Sequence, residues 1–162
     1  MKAFLTILIF IFSLVGSAYG AEFIDRTEDA FWVPTTFVGY DSRTPIYTVG
    51  PIYNEVSNAC YLVSAQYEIS NINTRHNIMV GQTIIRTSQK DDTRGVRVIP
   101  ATTTNVDRNR HHERWNGSFV DCPPPGVWYY RLNVYSGLRK TIPVSIRVEQ
   151  GYGFLQVFQL AR

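Results

Sequence analysis

The sequence predicts an all-β fold: an antiparallel β-sandwich of jelly-roll type held by one disulfide. Three observations carry that expectation. Apolar and polar residues alternate with period two through most of the chain, and no window of eleven or more residues keeps an apolar face at helical spacing. The alternating runs are short and are punctuated by glycine, proline and charged turn residues, as in sandwiches and jelly rolls. Two cysteines, Cys60 and Cys122, stand alone.

The chain opens MKAFLTILIFIFSLVGSAYG, with Lys2, an apolar run over 4–15, and small residues at Ala18 and Gly20. This is the pattern of a secretory signal peptide over 1–20, and the run is shorter than the about 20 apolar residues that span a bilayer. Ala21 and Glu22 follow where a lipid-anchored chain would carry cysteine. The expected location is therefore secreted or periplasmic, with no stable membrane anchor after cleavage.

Segment 21–30, AEFIDRTEDA, is polar and reads as a leader or an edge, ahead of a sandwich domain over 31–162. Strands are expected at 32–40 and 46–49. In YLVSAQYEI, over 61–69, Tyr61, Val63, Ala65, Tyr67 and Ile69 share one face. Further strands are expected at 78–86, 96–99 and 118–120, with QKDDTRG, over 89–95, as a hairpin loop ending in glycine. CPPPG, over 122–126, forbids a ladder because proline lacks the donor. WYYRLNV, over 128–134, aligns Trp128, Tyr130, Leu132 and Val134. TIPVSIRVE, over 141–149, sets Ile142, Val144, Ile146 and Val148 against Thr141, Ser145, Arg147 and Glu149, the alternation of a half-buried strand. EQGYG, over 149–153, supplies two glycines for a tight reversal before a closing strand at 154–160.

In an oxidising compartment the two cysteines pair most simply with each other, closing a loop of about 60 residues and contributing about 4 kcal/mol. An antibody-type sandwich wants a tryptophan soon after its first cysteine. Here the next one after Cys60 is Trp115, close before Cys122, so that version of the sandwich is disfavoured. Formal net charge is only +3, of which Lys2 supplies one, and this modest excess together with export argues against nucleic acid as a partner.

FVDCPPPGVWYYRLNVY, over 119–135, resembles the C1q and tumour-necrosis-factor type of jelly roll in Cys122, Pro125, Gly126, Trp128, Tyr129 and Tyr130. The closing YGFLQVFQL is similar to that family's last strand, which begins Gly-Phe-Leu. Phe119 stands one residue further from Cys122 than the family pattern, and about three dozen residues follow the motif where the family has roughly twice as many. The resemblance implies a jelly roll and trimeric assembly, and brings no catalytic residues with it.

The most chemically loaded stretch is NVDRNRHHERW, over 105–115. On an extended chain Arg108, Arg110, His112 and Arg114 would line one face, ending at Trp115. Guanidinium groups grip carboxylate, sulfate or phosphate two-pronged, and an aromatic ring stacks on a sugar or cation. Charges on an edge strand also serve simply to prevent edge-to-edge aggregation. Tyr129 and Tyr135, with Arg131 and Asn133, lie on the face of their strand opposite Trp128 and form a second candidate surface. His111 and His112 as neighbours on a strand point apart and cannot both ligate one metal, and no H-x-H, H-E-x-x-H, C-x-x-C or G-x-S-x-G motif is present. NGS, over 116–118, is a glycosylation acceptor in a eukaryotic secretory pathway.

The expected function is that of a non-enzymatic recognition or structural module with no cofactor, binding a surface glycan, an anionic ligand or a protein partner. Its binding residues would be Arg108, Arg110, His112, Arg114, Trp115, Tyr129 and Tyr135. Two alternatives stand beside it. One is a small exported hydrolase or metal-dependent enzyme using His76, His111 and His112; the other is a self-assembling homo-oligomeric scaffold subunit.

Overall fold

A computed structural model describes residues 21–26, 36–37, 44–73, 75–136, 146–149 and 153–160. The signal-peptide expectation, most of the strand expected at 32–40, residues 141–145 and the glycine reversal lie outside them. Ten strands are described: β1 (Ala21–Arg26), β2 (Thr36–Phe37), β3 (Thr44–Asn54), β4 (Tyr61–Asn71), β5 (Ile78–Thr87), β6 (Val96–Val106), β7 (Arg110–Asp121), β8 (Gly126–Ser136), β9 (Ile146–Val148) and β10 (Phe154–Leu160).

Every pairing is antiparallel, and the strands form two sheets. In the first, β7 pairs with one edge of β4, while β10 and β9 follow one another along the other edge, carrying β1 and β2 beyond them. The second has the order β3-β8-β5-β6. The chain crosses between the sheets at β3–β4, β4–β5, β6–β7, β7–β8 and β8–β9, while β5 and β6 pair within the second sheet, and the result is an antiparallel β-sandwich. Residues 21–26, read as polar leader or edge, are an edge strand on β10.

The sandwich forms because each long strand buries one alternating face. Tyr61, Val63, Ala65, Tyr67 and Ile69 of β4 meet Tyr130, Leu132 and Val134 of β8 and Ile78, Val80 and Ile84 of β5, all buried in one cluster. Ile146 and Val148 continue the expected alternation on β9 and are buried there too. Strands β6 and β7 run much longer than the short segments expected at 96–99 and 118–120. Both are edge strands in which most residues are exposed and polar, and the inward Thr102 and Thr104 of β6 bond Gln82, so they carry little apolar signal.

Among the described residues, the polar side chain of Gln82 is set into this core. Gln82 of β5 lies beneath Tyr67 and Trp115, only 1 % exposed. With its amide oxygen turned to the donors, it accepts from Trp115 Nε1 at 2.8 Å, Thr102 Oγ1 at 2.9 Å and Thr104 Oγ1 at 3.2 Å, while its nitrogen donates to Tyr67 Oη and the Val80 carbonyl, each at 3.2 Å. A buried amide left unsatisfied would cost about 1–3 kcal/mol, and here every position is used.

The CPPPG turn is bolted down at one end of the sandwich. Cys60 and Cys122 are joined, with the two residues 62 apart in sequence. Asn54 Nδ2 donates to the Pro123 and Pro124 carbonyls at 2.8 and 3.0 Å. Arg86 Nη1 reaches both Asp121 oxygens, at 2.7 and 2.5 Å, its guanidinium carbon lies 4.7 Å from the centre of the Trp128 ring, and Tyr130 Oη donates to Asp121 at 2.9 Å.

Two outcomes are expected. Reduction should raise the intact mass by about 2 Da and lower the unfolding free energy by about 4 kcal/mol, read from urea melts with and without reductant, because the loop closed is long. Burial pushes the Tyr47 phenol up to about 12 and those of Tyr67 and Tyr130 further up. Their folded values exceed the ordinary 10.0, so the stability tied to the neutral phenols is intact below about pH 10 and lost as pH rises above it. Absorbance titration should therefore show a late group of tyrosines ionising together with loss of near-ultraviolet circular dichroism.

Candidate functional site

The arginine-rich segment does not form the single face its spacing predicts. Asn109 and His112 adopt left-handed backbone, with φ of 53° and 59°. Asn109 closes the turn from β6 into β7, where Arg110 N donates to Asp107 O at 3.2 Å. His112 sits in a bulge, since the register passes from Ile69↔Glu113 to Asn71↔Arg110 and two histidines face Ser70 alone. Arg108 is thus on a turn, Arg110 is on a bulged strand end tied to Glu113, and only Arg114 lies on regular strand with an outward side chain. Trp115 points the other way, buried in the core 5.4 Å from the Tyr67 ring and resting on Gly117.

The bulge assembles a charged cluster on the outer face of the first sheet. Glu68 is 6 % exposed, although it faces away from the core. Arg114 grips its Oε1 with Nε at 3.2 Å and Nη2 at 2.7 Å, and His112 Nδ1 stands 3.3 Å from its Oε2. Ser70 Oγ accepts from the His112 backbone N–H at 3.1 Å and its hydroxyl hydrogen-bonds Glu149. Glu149 lies across from Glu68, its N–H donating to the Glu68 carbonyl at 2.8 Å, and its carboxylate takes Arg147 Nε at 2.8 Å. Burial by itself would raise the Glu149 carboxyl, but the bonds from Ser70 and Arg147 and the charges of Arg147 and His112 outweigh it, and the net shift is downward. Each carboxylate here already has its cations, so the cluster is a self-satisfied ionic knot.

A second group of side chains is presented outward. The β4–β5 loop and the β6–β7 turn lie side by side, locked by three asparagines. Asn71 Nδ2 donates to the carbonyls of His76, Val106 and Asp107 at 3.0, 3.0 and 3.1 Å. Asn73 Oδ1 accepts from the N–H of Arg75 and of His76, at 2.8 and 3.0 Å, and its carbonyl takes Asn109 N–H at 2.8 Å. Asn77 accepts from Arg108 N–H at 3.0 Å and donates to the Asp107 carboxylate at 3.0 Å. On this frame Arg75, His76, Arg108, Arg110 and His111 are all exposed. Among the described residues neither Arg75 nor Arg108 has a carboxylate partner, since Asp107 is engaged by Asn77 and Glu113 by Arg110.

Of the histidines named for the alternative enzyme reading, His76 and His111 stand exposed on this tip and His112 belongs to the ionic knot. Among the described residues no three His, Cys, Asp or Glu side chains form a group fit to hold a metal. Tyr129 and Tyr135 are half-buried on the outer face of the second sheet, which is less open than expected. Arg131 and Asn133 between them are 5 % and 1 % exposed, Arg131 reaches the Asp92 carbonyl of the β5–β6 loop at 2.6 Å, and Tyr135 lies over Gly81. Sequence reasoning missed Glu68, Ser70 and Glu149, which meet only through pairing. It also missed the asparagine frame, whose spacing in NINTRHN is a readable turn signal.

No family model matches the chain, and no curated protein matches it. Among solved structures it is similar to a chain in the crystal structure of the T13 viral particle of IBDV, infectious bursal disease virus, at TM-score 0.52 and 10 % identity, over 87 % of this chain and 31 % of that one. A structure of the Gx strain of that virus aligns at TM-score 0.30 and 9 % identity, over 89 % and 39 %. The chain spans about a third of the length of these neighbours, and the first likeness is one of fold.

The downward shift of Glu149 has a sign. Its stabilising contribution is present above the ordinary 4.5 and is lost as pH falls through its lower folded value. Urea midpoints measured at about pH 7 and about pH 3.5 should drop less in Glu149→Gln than in the parent protein.

Proposed function

We propose that this chain is an exported, non-enzymatic recognition module whose asparagine-locked tip binds an anionic polysaccharide bearing sulfate or phosphate groups. The observation that carries the reading is the pair Arg75 and Arg108, exposed on two loops whose backbones are fixed to each other. A guanidinium presents paired donors suited to the oxygens of such groups, and a fixed frame removes much of the ordering cost of binding. His76 and His111 beside them add exposed ring N–H donors. Arg114, by contrast, is already committed to Glu68 and serves the fold.

A second reading, an assembly subunit, is favoured by the two long outer strands. Among the described residues β6 pairs only with β5 and β7 only with β4, and Val96, Phe119 and Val120 are exposed along them. The fold likeness to a viral particle chain is compatible with this role, as jelly rolls build many shells and lectins alike.

Heparin-resin chromatography at about 0.15 M salt separates the readings. The protein should be retained, the double variant Arg75→Ala/Arg108→Ala should bind at least ~10-fold more weakly, and Arg94→Ala, an exposed arginine in the β5–β6 loop, should behave as the parent. Unchanged retention of the double variant would sink the anion reading. Sedimentation showing assembly at micromolar concentration, dispersed by Phe119→Asp, would support the subunit instead.

A further inference from the structure

The opposite end of the sandwich carries a site of different chemistry. Strand β3 ends at Asn54, and the chain turns through 55–60 into β4, with Ala59 N–H donating to Val56 O at 3.5 Å. This turn and the end of β10 enclose a cleft of about 220 Å³, lined by Tyr53, Asn54, Glu55, Ala59, Tyr61 and Gln159 among others. Its floor is rigid. Ala59 and Tyr61 are buried, Tyr61 Oη donates to Asn54 Oδ1 at 3.3 Å, Asn54 is bonded to the CPPPG turn, and the Cys60–Cys122 bridge adjoins.

The rim is built otherwise. Tyr53 is 69 % exposed, more than any other large hydrophobic side chain described. Glu55 is exposed and Gln159 half-buried, and among the described residues the side chains of Tyr53, Glu55 and Gln159 make no hydrogen bond or ion pair. An exposed ring accepts the C–H face of a sugar, a carboxylate accepts from two neighbouring hydroxyls, and an amide donates and accepts. The one charge on the lining is negative, so an anionic ligand is repelled here. The volume falls below the roughly 300–1,000 Å³ of sites for larger ligands, which limits the occupant to about one ring. We propose that this cleft is a second binding site, taking the terminal ring of a neutral saccharide, independently of the basic tip.

The test is a printed array carrying neutral oligosaccharides beside sulfated and sialylated ones, probed with the purified protein. Neutral spots should be bound, and Tyr53→Ala and Glu55→Ala should each lose at least ~10-fold on them while matching the parent on anionic spots and in thermal melting. Both residues are at the surface, so the variants test binding and not folding. No binding to any neutral spot, or equal binding by Tyr53→Ala, overturns the proposal. Loss confined to anionic spots in Arg75→Ala/Arg108→Ala supports two separate sites, and neutral binding lost in that variant overturns their independence.

Discussion

One face of β4 must be buried, and that requirement sets the register on which the molecule depends. Tyr61, Val63, Ala65, Tyr67 and Ile69 are at most 2 % exposed. A slip by one residue would turn all five outward and bring Leu62, Ser64, Gln66 and Glu68 into the core. With the register held, Cys60 arrives beside Cys122 at one end and Asn71 arrives beneath two loops at the other. Glu68 and Ser70 are placed outward, where the β7 bulge delivers His112 and Arg114 to them. Both candidate sites are therefore consequences of the same alternation.

Many polar groups among the described residues are used to hold the fold together. Gln82 ties Tyr67 and Trp115 across the core, Arg86 and Asp121 hold the proline turn, and Asn71, Asn73 and Asn77 hold the tip. Removing one partner of a buried ion pair strands the other, at about 3–5 kcal/mol, so these groups are committed and unavailable to ligands. What is left over is informative for that reason. Arg75 and Arg108 at one end, and Tyr53, Glu55 and Gln159 at the other, are side chains on rigid supports that bond no other side chain among the described residues.

A β-sandwich does not specify a function, because its two sheets supply a support and its end loops supply the chemistry. The likeness to the viral particle chain, at 10 % identity, concerns the support. The loops differ in kind at the two ends: one is cationic and locked by asparagine side chains, the other neutral to acidic and locked by a disulfide and proline carbonyls. The two ends are thus fixed by locks of unlike chemistry.

Much of this was legible in the chain. Period two marked the core faces of β4, β8 and β9, the lone cysteine pair marked the cross-link, and CPPPG marked a break between strands, because each of these is local or a matter of counting. Strands β6 and β7 were only partly legible, since edge strands bury little and need no apolar pattern. The duties of the residues expected to bind were the least legible. Arg108, Arg110, His112 and Arg114 look equivalent in sequence, yet a bulge at His112 and the arrival of Glu68 from another strand gave them different duties, and Trp115 was claimed by the core. The sequence by itself determined an alternating, disulfide-linked β-sandwich. Only the tertiary structure decided which charges are consumed in holding it together and which remain outward, because that depends on partners brought from distant strands by pairing.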